Sequence, residues 1–186
     1  MKIFIILKKK SERVKNKNFV KFNKLELYKK VLYKFKDFEV FVDTDSEKII
    51  REGKKDKRLS HCFFYKRNKE FISMEKNLNK SPTPLMIKKF LSDFVTKNNE
   101  IVVTSHVTSP FLKISTLNDA LSKMKNYNSV VSCIKTQNFT YVKKKELYKP
   151  VNFNKNVIQK TQTLPYVITL VGAFFIIKKN IFLKNG

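Results

Sequence analysis

A loop rich in cations, hydroxyls and amides follows directly on the first apolar run of this chain. The run is Ile3–Leu7, and the loop reads Ser11-Glu12-Arg13-Val14-Lys15-Asn16-Lys17-Asn18. Ammonium, guanidinium and amide groups donate hydrogen bonds to phosphate oxygens, and a buried strand that ends in such a loop places them at the carboxyl end of a sheet. This stretch predicts a phosphate-binding loop and indicates an enzyme that handles nucleotides.

Short apolar runs along the chain predict the strands that would carry this loop. They lie at Ile3–Leu7, Phe38–Val42, Cys62–Tyr65, Ile101–Val103, Ser129–Ile134 and Ala173–Ile177. Continuous runs of this kind are typical of strands covered on both faces, as in mainly parallel sheets. Apolar residues at helical spacing lie between them, within residues 25–35, 85–94 and 117–124. This βαβα alternation predicts a three-layer α/β/α sandwich with a mainly parallel, Rossmann-like sheet.

The boundaries of these elements are indicated by a few polar residues and prolines. Asp45 or Ser46 can cap the helix after the second strand, and Pro84 is placed to open a later helix. Residues 139–163 depart from the alternation and carry Lys143-Lys144-Lys145. We interpret the chain as one domain, 1–186, in which residues 139–163 form an excursion of irregular or short antiparallel structure.

The net charge of +25 raises the alternative of a protein that binds nucleic acid or an anionic surface. Lysines outnumber arginines by 36 to 4, a composition typical of coding sequence from an AT-rich genome. Arginine is the usual choice for bidentate contacts to phosphates and bases, so its scarcity argues against specific nucleic-acid recognition. Scattered lysines are more often a solvated surface.

Metal, membrane and secretion signals are weak in this sequence. Cys62, Cys133, His61 and His106 do not have the spacing of a zinc site, and Cys133 lies in an apolar run where a thiol is usually a small buried hydrophobe. The longest apolar stretch, Tyr166–Ile177, is too short for a membrane helix, and the amino-terminal run is too short for a secretory signal. We expect a cytoplasmic protein with no membrane partner. With three glycines, the chain carries neither a P-loop nor a dinucleotide fingerprint.

Six motifs follow one another along the chain. They are Ser11, Arg13, Lys17 and Asn18 of the first loop, Val42-Asp43-Thr44-Asp45, Arg67-Asn68-Lys69-Glu70-Phe71, Leu78-Asn79-Lys80-Ser81-Pro82-Thr83-Pro84, Thr104–Phe111, and Gln162-Thr163-Leu164-Pro165 with Gly172-Ala173. In this order they resemble the motifs of the acylneuraminate cytidylyltransferase family, which includes the CMP-sialic acid synthetases. The resemblance implies a nucleotidyltransferase sheet and the transfer of CMP from CTP to a nine-carbon 2-keto sugar acid, with release of pyrophosphate. It also implies Mg²⁺ as cofactor and a homodimer, with residues 139–163 as a possible dimerisation arm.

The resemblance assigns roles to individual residues. Arg13 and Lys17 would grip the phosphates and form the catalytic pair, and Lys8, Ser11, Asn18 and Arg67 would bind the nucleotide. His106, Thr108, Ser109 and Gln162 would face the sugar. His106 is open to two further interpretations, an acid or base at the rim and a hydrogen-bonded structural residue. Asp43 and Asp45 are weak metal candidates, since an aspartate beside Ser46 is also a common helix cap.

Several positions differ from the family pattern. Lys9 and Lys10 stand where the family has Gly-Gly, Glu12 stands where it has lysine, and His106 where it has glutamine. The family also continues into a carboxylate-rich segment beyond the position of Gly186, so the resemblance implies a divergent, C-terminally short member. Two alternatives therefore remain: a catalytically degenerate homologue that binds a nucleotide or a partner, and a basic nucleic-acid-binding protein.

Overall fold

Residues 1–11, 14–75 and 81–185 are described by a computed structural model of the chain. The strands are β1 (Lys2–Leu7), β2 (Lys21–Phe22), β3 (Leu25–Glu26), β4 (Glu39–Thr44), β5 (Cys62–Lys66), β6 (Ile101–Ser105), β7 (Ser129–Thr136), β8 (Tyr141–Lys144), β9 (Leu147–Pro150) and β10 (Val167–Lys178). The α-helices are α1 (Leu27–Leu32), α2 (Glu47–Lys55), α3 (Lys69–Met74), α4 (Thr83–Phe94), α5 (Ile114–Ser122) and α6 (Lys179–Asn185).

Six of these strands form one mixed sheet in the order β5-β4-β1-β6-β10-β7. Strand β1 runs parallel to β4 and β6, and β4 runs parallel to β5. Strand β10 is antiparallel to β6, with Phe174 opposite Ser105. Each of the six predicted apolar runs overlaps one of these strands, and only Phe38 of the second run lies outside its strand. The predicted mainly parallel sheet is therefore confirmed.

Helices cover both faces of the sheet because successive side chains of a strand point to opposite faces. Ile3, Ile5 and Leu7 of β1 belong to one buried cluster, which α1, α2 and α5 complete. Phe4 of β1 belongs to a second cluster with α3 and α4, against which Ile6 packs. The predicted three-layer α/β/α sandwich is therefore confirmed.

Local chemistry explains where two helices begin. The Ser46 hydroxyl accepts a hydrogen bond from Ile49 N at 3.4 Å, so Ser46 caps α2. Pro84 lies in the first turn of α4, where its missing N–H costs no helical hydrogen bond. Of the two predicted caps of α2, the structure therefore uses Ser46, and Asp45 is free for another contact.

The chain divides into two compact units, which are residues 1–130 with 172–186, and residues 131–171. Within the second unit β8 and β9 form an antiparallel hairpin. The buried Asn152 accepts from Thr140 N at 3.0 Å and donates from Nδ2 to Asn138 O at 3.0 Å and Pro165 O at 2.9 Å. The interpretation of residues 1–186 as a single domain stays a prediction.

The prediction that the thiol of Cys133 is buried is wrong. Cys133 is exposed, and most of the β7 side chains are exposed or half-buried, with Ile134 52% exposed. The physical reason is that β7 is the last strand of the sheet and that, from Val131 onward, it belongs to the smaller unit. An apolar run in the sequence does not reveal that a strand will lie at an edge.

Among the described residues, no helix combines the length and the apolar character needed to cross a bilayer. The cytoplasmic location stays a prediction.

Candidate active site

The carboxyl ends of four strands meet at one edge of the sheet, because β1, β4, β5 and β6 are mutually parallel. Leu7 pairs with Thr44, which pairs with Lys66 in turn, so these three strands end at the same level. Ligands of open α/β sheets bind beyond the carboxyl ends of such strands. We call this edge the carboxyl rim; the chain leaves it at Lys8, Asp45, Arg67 and His106.

The loop after β1 is closed by one of its own side chains. The buried Asn18 donates from Nδ2 to the Lys8 carbonyl oxygen at 2.7 Å. Lys9 N donates to Asp45 Oδ1 at 2.5 Å, which ties the beginning of the loop to the end of β4. Asn18, predicted to donate to a nucleotide, thus uses its amide within the loop, and its nucleotide contact stays a prediction.

Of the two residues predicted to grip the phosphates, the structure describes Lys17 but not Arg13. Lys17 is half-buried in a short 3-10 turn, Lys17–Phe19, in which the Phe19 ring meets Tyr28 edge to face at a centroid distance of 6.0 Å. This packing holds the turn against α1. Arg13 lies outside the described residues, as do Glu12 and residues 76–80 of the fourth motif. Ser11 is described and is half-buried.

Arg67 is fully buried, and its guanidinium faces two carboxylates. Nε donates to Asp43 Oδ1 at 2.5 Å, and one terminal nitrogen donates to Glu75 Oε1 at 2.8 Å. Lys8 Nζ lies 3.5 Å from the same Glu75 oxygen. Arg67 therefore forms a buried ion-pair network that reaches the first loop, and the nucleotide contact predicted for it stays a prediction.

The two metal candidates have different surroundings. Burial raises the pKa of Asp43, against the opposite effect of Arg67, and the Asp43 carboxylate is directed at that arginine. Asp45 is half-buried and accepts from Lys9 N. Within residues 1–11, 14–75 and 81–185, no three His, Cys, Asp or Glu side chains converge as a metal cage. Mg²⁺ commonly uses only one or two carboxylates together with substrate phosphates, and Asp45 is the side chain here that fits this arrangement.

His106 directly follows β6 and is half-buried at the carboxyl rim. Burial lowers the pKa of its imidazole, and the positive charge of Lys17 acts in the same direction. The neighbouring strand β10 presents Gly172, whose Cα carries no side chain. A Cβ added there would lie 3.2 Å from His106 Cδ2. Because Gly172 has no side chain, the imidazole of His106 can lie against β10.

The residues after His106 form a tight loop that carries Thr108 and Ser109. Ser109 N donates to His106 O at 3.3 Å, and Leu112 N donates to Ser109 O at 3.1 Å. Lys34 Nζ donates to Pro110 O and, at 3.2 Å, to Leu112 O. Burial lowers the pKa of Lys34. We call residues 106–112 the acceptor loop, after the carbonyl oxygens of Pro110 and Leu112 that accept from Lys34. His106, Thr108 and Ser109, which are close in the sequence, all lie in it.

Three residues, Glu75, Lys34 and Gln162, can be interpreted only from their contacts in the folded chain. Glu75 and Lys34 were missed by sequence reasoning, since each is an ordinary surface residue type with no motif around it. Gln162 lies in the second unit, where its carbonyl oxygen accepts from Gln137 Nε2 at 3.0 Å. The predicted sugar contact of Gln162 stays a prediction.

A cavity of about 270 Å³ lies away from the loop after β1. Five of its eleven lining residues are aromatic, among them Phe63 and Tyr65 of β5 and Phe90 and Phe94 of α4, and five are polar or charged. It shares Asp43 with the buried ion-pair network, but none of the described residues of the loop after β1 and of the acceptor loop lines it. The cations and the imidazole of the carboxyl rim are therefore the better candidate for phosphate chemistry.

Comparison with known proteins agrees with this geometry. Residues 3–169 match the sequence model of the family described as cytidylyltransferase. A search of proteins with curated functions returned no match.

Solved structures with the same architecture include three enzymes. One is CMP:2-keto-3-deoxy-manno-octonic acid synthetase complexed with CTP, with a TM-score of 0.66 and 12% identity over 98% of this chain and 75% of that one. Another is 4-diphosphocytidyl-2C-methyl-D-erythritol synthase from Anaerococcus prevotii, with a TM-score of 0.61 and 12% identity over 98% and 74%. A third is 2-C-methyl-D-erythritol 4-phosphate cytidylyltransferase from Francisella tularensis, with a TM-score of 0.62 and 12% identity over 96% and 73%. At such identities the likeness establishes the fold.

Proposed function

The chain belongs to the cytidylyltransferase family, and from that premise we propose that it transfers CMP from CTP to a nine-carbon 2-keto sugar acid of the sialic acid type. The family match over residues 3–169 is the observation that carries the reaction class. The acceptor class is supported by the six ordered motifs that resemble the acylneuraminate cytidylyltransferases. Four of these motifs lie at the carboxyl rim, where β1, β4, β5 and β6 end.

In this reaction a hydroxyl oxygen of the sugar acid attacks the α-phosphorus of CTP. The bond from the α-phosphorus to the oxygen that bridges it to the β-phosphate breaks, pyrophosphate leaves with the electron pair, and the hydroxyl loses its proton. Such transfers depend mostly on positioning and on stabilising negative charge. Lys8 and Lys17 at the carboxyl rim supply cations for the triphosphate, and Arg13 is proposed to do so from the same loop.

Mg²⁺ is proposed as the cofactor. Asp45 would be its protein ligand, and the bound ion would supply positive charge that neutralises the phosphate oxygens. Thr108 and Ser109 of the acceptor loop are proposed to bind the sugar, together with Gln162.

A second candidate function is nucleotide binding without turnover. One observation favours it: Lys9 N, at a position where the family has glycine, donates to Asp45 instead of being free for a phosphate oxygen. The two lysines at positions 9 and 10 also carry long side chains into a loop where glycine allows close approach of the backbone.

One assay separates these candidates. Pyrophosphate release is measured with CTP, Mg²⁺ and a panel of sialic, legionaminic, pseudaminic and 3-deoxy-octulosonic acids, and CTP binding is followed by thermal shift. We expect turnover with a nine-carbon acid and a loss of about 10²-fold or more for Lys17→Met. The exposed Lys125 offers a matched control, and Lys125→Met should behave as wild type.

The outcomes of this assay are distinct. A CTP-induced thermal shift without turnover identifies the nucleotide-binding homologue. Absence of both removes the enzyme and the nucleotide binder together. Tight binding of duplex DNA that falls steeply with salt would then support the basic nucleic-acid-binding alternative.

A homodimer assembled through the second unit is also proposed. Large apolar side chains of that unit are exposed, among them Leu147, Tyr148, Ile158, Ile168 and Leu170. Exposed apolar surface of this extent is typical of interaction sites. Sedimentation velocity tests the proposal. Leu147→Glu should shift the protein to monomer, whereas Leu85→Glu, at an exposed leucine of α4, should not. A wild-type monomer at micromolar concentration would contradict it.

A further inference from the structure

The proposed reaction leaves one event without an assigned residue, the removal of the proton from the attacking hydroxyl. A base for this step must lie at the carboxyl rim, within reach of the acceptor, and must be unprotonated at neutral pH. The described part of the rim contains one imidazole, that of His106, which begins the acceptor loop and is subject to the positive charge of Lys17.

The backbone places His106 firmly. It is the residue that follows β6, and its carbonyl oxygen accepts from Ser109 N at 3.3 Å, which turns the chain immediately after it. Its ring lies against Gly172, where an added Cβ would be 3.2 Å from Cδ2 and 3.6 Å from Nε2. A methyl group at position 172 would therefore push on the imidazole edge, and glycine leaves that edge undisturbed.

The surroundings of the imidazole favour its neutral form. The ring lies against Gly172 on β10, the positive charge of Lys17 acts on it, and Val107, Thr108 and Ser109, which follow it, carry no titratable side chain. Burial lowers the pKa of His106, and Lys17 lowers it further. A neutral imidazole has one ring nitrogen that can accept a proton.

We infer that His106 is the general base of the transfer, and this inference rests on the proposed function. As the acceptor oxygen bonds to the α-phosphorus, its proton moves to the unprotonated ring nitrogen of His106. The bond between the α-phosphorus and the bridging oxygen breaks, and pyrophosphate takes that electron pair. The imidazolium then returns its proton to solvent.

The same geometry couples the base to the substrate. Lys17 disfavours protonation of His106, and it is also a proposed ligand of the triphosphate. When phosphate oxygens neutralise the Lys17 charge, protonation of His106 becomes easier, so the base strengthens as CTP binds. Lys17→Met removes the ammonium group and should therefore also make protonation of His106 easier.

NMR of the imidazoles tests the placement without any turnover. The chain has two histidines, and His61, whose ring nitrogen lies 3.0 Å from Leu32 O, is an internal reference. We expect the titration midpoint of His106 to lie below 6.5, to rise in Lys17→Met, and to rise when CTP is added, while His61 stays unchanged. A His106 signal that ignores both CTP and the loss of Lys17 would overturn the inference.

The pH dependence of kcat/KM tests the chemical role. In wild type the acidic limb should follow the titration midpoint of His106. His106→Gln, which restores the residue of the related family, should lower the rate about 10²- to 10⁴-fold and abolish that limb. His61→Gln should keep the limb. A uniform loss at every pH, with the limb retained, would show that His106 is only a structural residue.

The two proposals fail in different ways. If no acceptor is turned over, the proposed function fails, and the CTP-dependent NMR shift still decides whether His106 lies at the nucleotide site. If turnover is observed and His106→Gln retains both its rate and its acidic limb, the inference fails while the proposed function stands.

Discussion

The side-chain amide of Asn18 donates to the carbonyl oxygen of Lys8 at 2.7 Å and closes the loop that leaves β1. The two residues are ten positions apart, and Asn18 is buried. Because one hydrogen bond joins the ends of the segment that carries Ser11 and Lys17, the shape of the proposed phosphate-binding loop depends on it.

Asn18→Ala should therefore destabilise the loop. The carbonyl of the half-buried Lys8 would lose its partner, which costs up to about 1 kcal/mol because water can partly replace the lost donor. Urea denaturation should show this loss, and the CTP-induced thermal shift should shrink. Asn126→Ala, at an exposed asparagine, is the matched control and should change neither. A stable Asn18→Ala protein with full CTP response would show that the loop does not need the contact.

Arg67→Met should cost more than any exposed arginine substitution. Its guanidinium is the partner of Asp43 and of Glu75 in a buried network, and removal of one partner of a buried ion pair costs about 3–5 kcal/mol. Equilibrium unfolding in urea measures the difference. Arg51→Met, on the exposed side of α2, is the control. Equal stabilities of the two variants would contradict a structural role for Arg67.

Lys34→Met should loosen the acceptor loop without affecting the loop after β1. Lys34 Nζ donates to the carbonyl oxygens of Pro110 and Leu112, and methionine has a similar length but no donor. Hydrogen exchange should become faster at Ser109 and Leu112, and the KM for the sugar acid should rise while the KM for CTP is kept. Lys36→Met, at an exposed lysine, provides the comparison. Unchanged exchange in Lys34→Met would contradict the proposed anchoring.

Asp56 should contribute to the acid sensitivity of the fold. Hydrogen bonds from Arg58, and a further one from the Tyr33 hydroxyl, hold the pKa of Asp56 at about 2, below its usual 3.8. A lowered pKa in the folded state stabilises the protein above pH 3.8, and this contribution is lost as the pH falls from about 4 to about 2.

Melting temperatures between pH 2 and pH 7 measure this effect of Asp56. Asp56→Asn should lower the melting temperature at pH 7 and flatten its fall below pH 4. The exposed Asp37 gives a control variant, Asp37→Asn, which should keep the wild-type profile. An unchanged profile in Asp56→Asn would contradict the assignment.

Gly53→Ala should destabilise the protein, although alanine is favoured over glycine by about 1 kcal/mol in a helix interior. A Cβ at residue 53 would lie 2.4 Å from Phe64 Cζ, so the ring or the helix α2 must move. Overpacking of this kind costs about 1–3 kcal/mol. Phe64→Leu should reduce that cost when the two changes are combined, as a double-mutant cycle in urea would show. A more stable Gly53→Ala variant would contradict the close packing.

The sheet could be predicted from the sequence because its signal is local. Six apolar runs and the helical spacing between them are properties of neighbouring residues, and so are the cations that follow β1. The motifs also indicated the cytidylyltransferase family, which the family match confirms, while the acylneuraminate branch stays a prediction. Lys8 and His106 lie, as the strand pattern predicted, in loops that begin where strands end.

The local sequence could not predict which strand lies at the edge of the sheet, which polar side chains pair and which side chains are buried. The exposure of Cys133 follows from the position of β7 as the last strand, and no residue near it signals that order. Asp43 and Arg67 were both selected as ligand candidates, yet they lie together in a buried ion pair. Such pairing depends on the register of β4 against β5, which brings two residues 24 positions apart into contact.

The sequence by itself therefore determined the layers of this protein, its parallel strands and the cationic loop at their ends. It could do so because the spacing of apolar residues and the order of the elements are properties of neighbouring residues. Only the tertiary structure decided which polar groups face one another. It paired Asn18 with Lys8 and Arg67 with Asp43 and Glu75, and it set His106 beside Gly172. The reason is that burial removes competing water, so each buried polar group depends on the partner that the fold brings to it.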